Sequence, residues 1–191
     1  MNSTAVFAQE RDAEILLDSL RSGGHVIVMR HASSPRDLPD AAAAAPGNVK
    51  LERQLDAEGR NSAVAMGNAL RRIGVPIGEV LSSSTFRAMQ TAQYLALGEA
   101  QGVAELGDGG QGMRQDAAGE RSMWLRDNAA QAPPPGTNRI LITHTPNIAG
   151  AFGEAAAGIA EGESLIVRPE RGEGLVIGRV RIEQWPKLAS P

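Results

Sequence analysis

The chain has no cysteine. That absence removes disulfides, thiolate nucleophiles and cysteine metal sites together. Only three histidines occur among 191 residues, too few for a histidine-rich metal centre, so no metal or other cofactor is expected. No apolar run approaches the roughly 20 residues that span a bilayer, so no membrane span is expected. There is no basic tract either: 19 basic and 22 acidic side chains are mixed along the chain, for a net charge of −3. Nucleic acid is therefore not an expected partner.

What remains is 42% hydrophobic, enough for one substantial core. Residues 10–191 read as a single domain. Residues 1–9 read as a disordered tail or the stub of a trimmed export signal, because Val6-Phe7-Ala8 has the small-residue look of a processing site. On the export reading the protein is periplasmic or secreted, and otherwise cytoplasmic. Nothing in the residues sets the oligomeric state.

Three apolar runs without polar alternation suit strands covered on both faces. They are Val26 to Met29, Gly78 to Ser83, and Arg139 to Thr143. Helical spacing precedes the first over 10–21, stopping at Gly23-Gly24, and follows it from the N-cap candidate Asp56 to Gly74. Further helices are predicted from Phe86 to Leu97 and over 121–130. "SLIVRP" and "LVIGRVRI", separated by "ERGEG", predict a hairpin at a sheet edge. Strands alternating with helices give an α/β fold, a three-layer α/β/α sandwich about a mostly parallel sheet. Two long stretches, 33–55 and 98–136, are too irregular to be simple connectors, and loops of that length usually carry function.

The three runs end alike. The first closes on Arg30-His31, the second on a serine cluster with Arg87 just beyond, and the third on His144. Carboxyl ends of parallel strands share one edge, where ligands bind in such sheets. Arginines and histidines converging there are costly unless an anion neutralises them, and the guanidinium fork matches phosphate oxygens. His25, at the start of the first strand, lies at the opposite edge and reads as structural.

The segments "MRHASS", "SSSTFRAMQTAQ" and "LITHTPN", in this order at strand ends, resemble the histidine phosphatase superfamily with its phosphoglycerate-mutase-like fold. The resemblance runs from about residue 12 to about residue 182. It implies that His31 is the nucleophile that takes up the phosphoryl group, with Arg30, Arg87 and His144 holding phosphate oxygens. It also makes Ser34 and Asn147 candidate phosphate contacts. Ala32 replaces the glycine of the first motif, which is tolerable if its φ is negative. The leaving group needs a proton donor, and Asp108 in "ELGDGG" is the first choice among Glu105, Asp108, Asp116 and Glu120, with Glu163 its rival.

The expected activity is that of a metal-independent phosphomonoesterase working through phosphohistidine on a small phosphorylated substrate. The alternatives are a phosphoglycerate-type mutase, disfavoured because the long loops are not notably basic, and a phospholigand-binding protein without turnover. Sugar phosphates, phosphorylated saccharides and protein phosphohistidine all remain open as substrates.

Overall fold

The computed structural model describes residues 3–109 and 118–190. Its frame is a sheet of order β3-β2-β4-β1-β5-β6. The strands are β1 (Val26–Arg30), β2 (Ile77–Ser83), β3 (Ala100–Val103), β4 (Asn138–Thr143), β5 (Ser164–Glu170) and β6 (Glu173–Val180). Strands β1 to β4 run parallel, and β5 and β6 close one side as an antiparallel hairpin.

Successive strand residues face opposite ways, and that alternation builds two cores. Ile27 and Met29 pack with Ile140 and Ile142 under α1 (Ser3–Ser22), α2 (Ala57–Ile73), α3 (Phe86–Leu95) and α6 (Trp185–Leu188). Val26 and Val28 pack with Leu141, Leu165 and Val167 under α4 (Ala118–Ala129) and α5 (Thr145–Phe152). The helices thus cover both faces, giving the expected three layers. Both faces being buried explains why these strands lack polar alternation.

Strand β3 was not legible in the sequence. Its four residues, Ala-Gln-Gly-Val, form an outer strand with two exposed positions, so no apolar pattern marks it. It lies in the 98–136 stretch, which therefore extends the sheet as well as connecting elements. Helix α3 ends at Leu95, where Ala96 turns left-handed at φ 51°, so the expected continuation to Leu97 does not form. Helix α1 begins at Ser3, ahead of residue 10.

The long segment from Ser33 to Asp56 is closed at its base. Asp56 caps α2 by accepting from the Gly59 N–H at 2.7 Å, worth about 1 kcal/mol, and its other oxygen accepts from Ser33 Oγ. Helix α2 comes so close here that a Cβ on Gly59 would lie 2.2 Å from the Ser33 carbonyl oxygen. The segment also reaches α3: Glu52 Oε2 accepts from the Phe86 N–H at 2.9 Å, and Gln90 Oε1 accepts from the Leu55 N–H. Glu52 so places a carboxylate at a helix N-terminus whose first turn carries Arg87, offsetting the unfavourable cation there. No helix among the described residues is long and apolar enough to cross a membrane.

Candidate active site

The β1, β2 and β4 chain ends bring Arg30, His31, Arg87 and His144 to one edge of the sheet. His31 and His144 are each 3% exposed and Arg87 7%, and the two imidazole centroids lie 5.3 Å apart. Backbone bonds fix the placement. The His31 N–H continues the β1–β4 ladder by donating to the Thr143 carbonyl, and the Gly162 N–H donates to the His31 carbonyl. Ala32 is fully buried, and its N–H donates to Thr91 Oγ1 on α3. It is absent from the non-glycine positions with positive φ (Leu51, Ala96 and Arg171), so the methyl is carried without backbone strain.

The hydrogen bonds assign both tautomers. A carbonyl can only accept, so His31 Nδ1–H donates to the Ala32 carbonyl at 2.8 Å and Nε2 keeps its lone pair. Arg87 Nε–H donates to that Nε2 at 3.2 Å. An arginine can only donate, so Arg87 Nη2, 3.2 Å from His144 Nδ1, leaves His144 Nε2 to carry the hydrogen toward Ser83 Oγ at 2.9 Å. Thr85 Oγ1 lies 3.3 Å from the same Nε2. Burial pushes both imidazoles down to about 3, with cationic arginines adding to the effect: Arg87 and Arg30 act on His31, and Arg87, Arg53 and Arg30 on His144. Both rings are neutral at physiological pH. His31 is therefore a neutral imidazole whose buried Nε2 carries no hydrogen and accepts from Arg87, and an unprotonated ring nitrogen is what a nitrogen nucleophile requires.

Asp108 joins this group. Its Oδ2 forms an ion pair with Arg87 Nη2 and lies 3.8 Å from His144 Nδ1. The segment carrying it is held by residues flanking His144: Thr143 Oγ1 donates to the Leu106 carbonyl at 2.7 Å, and Asn147 Nδ2 donates to the Gly107 carbonyl at 2.7 Å. Asn147 spends its second amide hydrogen on Thr143 Oγ1, so what it gives the site is the position of Asp108. Glu105 and Glu120 are exposed, and Asp116 lies outside the described residues.

Glu163 is committed elsewhere. Its carboxylate accepts twice from Arg179 and once from the Ala160 N–H. Burial acts to raise its proton affinity, but these bonds outweigh burial and hold it below the ordinary carboxylate value. This carboxylate pairs with Arg179 and not, as Asp108 does, with Arg87 beside His144.

Ser34 lies on the Arg30 side of the site. Its hydroxyl donates to the Gln54 carbonyl at 2.9 Å, and its N–H reaches Glu161 Oε2 at 3.4 Å. Arg30 Nη2 pairs with Glu161 Oε1 at 3.0 Å, and its charge is felt by both histidines. A cavity of about 460 Å³ opens beside this pair, lined by Ser33, Ser34, Arg36 and Asp56 among others.

Two residues escaped the sequence reading. Arg53, from the 33–55 segment, donates to the carbonyls of Pro35 and Ser34 and sits within the fields of Arg87, Glu161, Arg30 and Asp108. Burial, then the charge of Arg87, holds its guanidinium below the ordinary value. Glu161 comes from the turn before β5. Neither follows a strand run, and no motif flags them. Among the described residues no group of three or more histidines and carboxylates is gathered as metal ligands.

The histidine phosphatase superfamily (branch 1) matches residues 26–139. No curated protein matches the chain. Solved structures that share the fold include three phosphatases. The protein histidine phosphatase SixA complexed with tungstate is 24% identical with a TM-score of 0.59, over 84% of this chain and 98% of that one. A putative phosphohistidine phosphatase SixA from Agrobacterium tumefaciens is 18% identical with a TM-score of 0.56, over 82% and 97%. The phosphoserine phosphatase of Entamoeba histolytica, in complex with 3-phosphoglyceric acid, is 13% identical with a TM-score of 0.55, over 81% and 95%. At these identities the likeness is one of fold. The family match covers more than half of the residues and includes Arg30, His31 and Arg87, and the protein accordingly belongs to branch 1 of the histidine phosphatase superfamily.

Proposed function

We propose that the protein is a phosphomonoesterase that works through a phosphohistidine on His31. The observation that carries this is the hydrogen-bonding of His31: Nδ1–H is fixed on the Ala32 carbonyl, and Nε2 is unprotonated, its lone pair accepting from the Arg87 Nε–H until a phosphoryl group draws that guanidinium to itself. In the first step that lone pair forms an N–P bond as the ester P–O bond breaks. The departing oxygen keeps the bonding pair and takes the proton that the monoanionic ester brings in and the Asp108 carboxyl relays. Arg87 and Arg30 hold the equatorial oxygens, where charge develops, and Arg53 adds positive field at the mouth. In the second step water attacks phosphorus, its proton passes to Asp108, and the N–P electrons return to Nε2.

Charge makes the arrangement fit a phosphate. Before substrate binds, the guanidiniums of Arg30, Arg53 and Arg87 share one field with the carboxylates of Asp108 and Glu161 while both imidazoles are neutral, and this concentration of guanidinium charge favours an anion. The substrate is a small phosphorylated molecule. The shape and charge of the 33–55 segment, Arg36 and Arg53 in particular, govern the choice among sugar phosphates, phosphorylated saccharides and phosphohistidine.

The test is hydrolysis of an aryl phosphate together with rapid quench in base after mixing with labelled substrate. Turnover and an acid-labile, base-stable protein label are expected, both lost in His31→Ala. Tight oxyanion binding with neither turnover nor label would instead make the protein a phospholigand binder.

A further inference from the structure

Arg30 is gripped on one side only. Its Nη1 donates to the Ile159 carbonyl at 3.1 Å and its Nη2 to Glu161 Oε1 at 3.0 Å. Its Nε is buried and, among the described residues, has no hydrogen-bond partner. A buried guanidinium nitrogen without a partner is uncommon and costs free energy, so its orientation needs a cause.

The cause lies in the turn before β5. The Gly162 N–H donates to the His31 carbonyl at 2.9 Å, the Arg30 N–H donates to the Glu163 carbonyl at 3.1 Å, and the Glu163 N–H donates to the Ala160 carbonyl. Glu163 Oε2 accepts from the Ala160 N–H, and Arg179 clamps the same carboxylate. Gly162, at φ 74°, packs so closely on Ile182 that a Cβ there would lie 2.8 Å from it. Ile159 and Glu161 are thus presented from a rigid turn tied by backbone bonds to the two residues that end β1. Glu161 Oε2 also receives the Ser34 N–H at 3.4 Å, so swinging the carboxylate away breaks a contact to the 33–55 segment as well.

We propose that Glu161 is a positioning residue for oxyanion binding: with the Ile159 carbonyl it clamps the outer nitrogens of Arg30, so that the inner Nε–H edge is held toward the phosphoryl group. This rests on the functional reading above and extends it. Glu161 touches neither His31 nor the phosphoryl oxygens in this role; it acts through Arg30. It is also a carboxylate near an anion site, so the role requires that orienting Arg30 outweigh its repulsion of the phosphate. Its side chain is 28% exposed, and its removal leaves the core intact.

The test is a double-mutant cycle read by tungstate binding in calorimetry and by kcat and KM on an aryl phosphate. Glu161→Ala is expected to weaken tungstate binding about tenfold and to lower kcat/KM by a similar factor. Glu161→Gln keeps an acceptor for Arg30 and is expected to recover most of the loss. The deciding comparison is Arg30→Ala against Arg30→Ala with Glu161→Ala, where the double variant should bind tungstate as well as the single or somewhat better, because Glu161 has nothing left to position and only its repulsion is removed. Multiplied losses in the double variant, or tighter tungstate binding in Glu161→Ala alone, overturn the proposal. Wild-type protein that binds tungstate without turnover would sink the phosphatase reading while leaving the cycle readable.

Discussion

Arg87 Nε and His31 Nε2 lie 3.2 Å apart, joined by a hydrogen bond that ends on the lone pair proposed to attack phosphorus. A single guanidinium thus holds the nucleophile, pairs with Asp108 and reaches His144. Arg87→Ala is expected to weaken oxyanion binding and to lower kcat by about a hundredfold or more, as loss of a preorganised oxyanion donor does. Arg87→Lys should recover little, because one ammonium cannot make three contacts in a plane. Kinetics with vanadate as inhibitor measure both effects. Unchanged vanadate affinity in Arg87→Ala would remove Arg87 from the site.

Strand polarity separates two histidines of the same chain. His25 lies just before β1, bonded to Ser19 Oγ and the Gly23 carbonyl, while His31 follows its far end. His31→Ala is expected to abolish aryl phosphate hydrolysis, and His25→Ala to leave kcat/KM within about threefold of wild type while lowering the melting temperature by several degrees. Circular dichroism checks that both variants fold. Equal losses of activity in the two would refute the assignment.

How far the site was legible follows from where each residue sits. Arg30, His31 and His144 end apolar runs that both sheet faces bury, so their strands announced themselves and the polar residues beyond them stood out. Arg87 was legible because a cation in a first helical turn is out of place without an anion. Strand β3 was silent because an outer strand of Ala-Gln-Gly-Val buries too little to leave a pattern. Arg53 and Glu161 come from irregular segments, and only the folded chain shows that their charges face the cluster. Glu163 and Asp108 looked alike as acids before the sheet edge. What separates them is which arginine each meets: Asp108 pairs with Arg87 beside His144, whereas the register of the terminal hairpin, which the hairpin pattern alone does not set, brings Arg179 to Glu163.

The buried histidines make stability depend on pH. Burial holds His31 and His144 down to about 3 and lowers His25 as well, so the folded chain takes up fewer protons than the unfolded chain below 6.5. The unfolded state then binds more protons, and stability rises with pH across the window from about 3 to 6.5 and is complete above it. Each of the two active-site rings costs roughly 1.4 kcal/mol per pH unit within that window. The melting temperature is expected to fall steadily from pH 7 to pH 5, and the fall should be shallower in His31→Ala and His144→Ala. A profile flat over that range, or the wild-type slope kept in both variants, contradicts neutral burial of these rings.

Positive charge at the site comes from arginine, which sets an expectation for inhibitors and chelators. Arg30, Arg53 and Arg87 stand where a metal ion would otherwise supply charge to the transferring group. Activity is expected to survive excess chelator and to be inhibited competitively by vanadate and tungstate. Chelator-sensitive turnover restored by one added divalent cation would show that arginines alone do not suffice.

Asp108 is the proton donor in the proposed mechanism, and its geometry makes that testable without ambiguity. Its carboxylate shares Arg87 with His31, on a segment anchored by Thr143 and Asn147 on either side of His144. A donor matters in proportion to how poor the leaving group is: an alkyl alkoxide must be protonated as it departs, whereas a nitrophenolate leaves with little help. Asp108→Asn is therefore expected to slow hydrolysis of an alkyl phosphate by about a hundredfold or more, and of nitrophenyl phosphate by much less. Asn147→Ala frees the segment without touching the carboxyl, so it should show the same selectivity in weaker form. A burst of nitrophenol in Asp108→Asn, followed by slow turnover, would further show that the same carboxyl serves the water in the second step. If both esters slow equally, the loss comes from a disturbed Arg87 and not from a missing proton, and Asp108 then holds the arginine in place without donating.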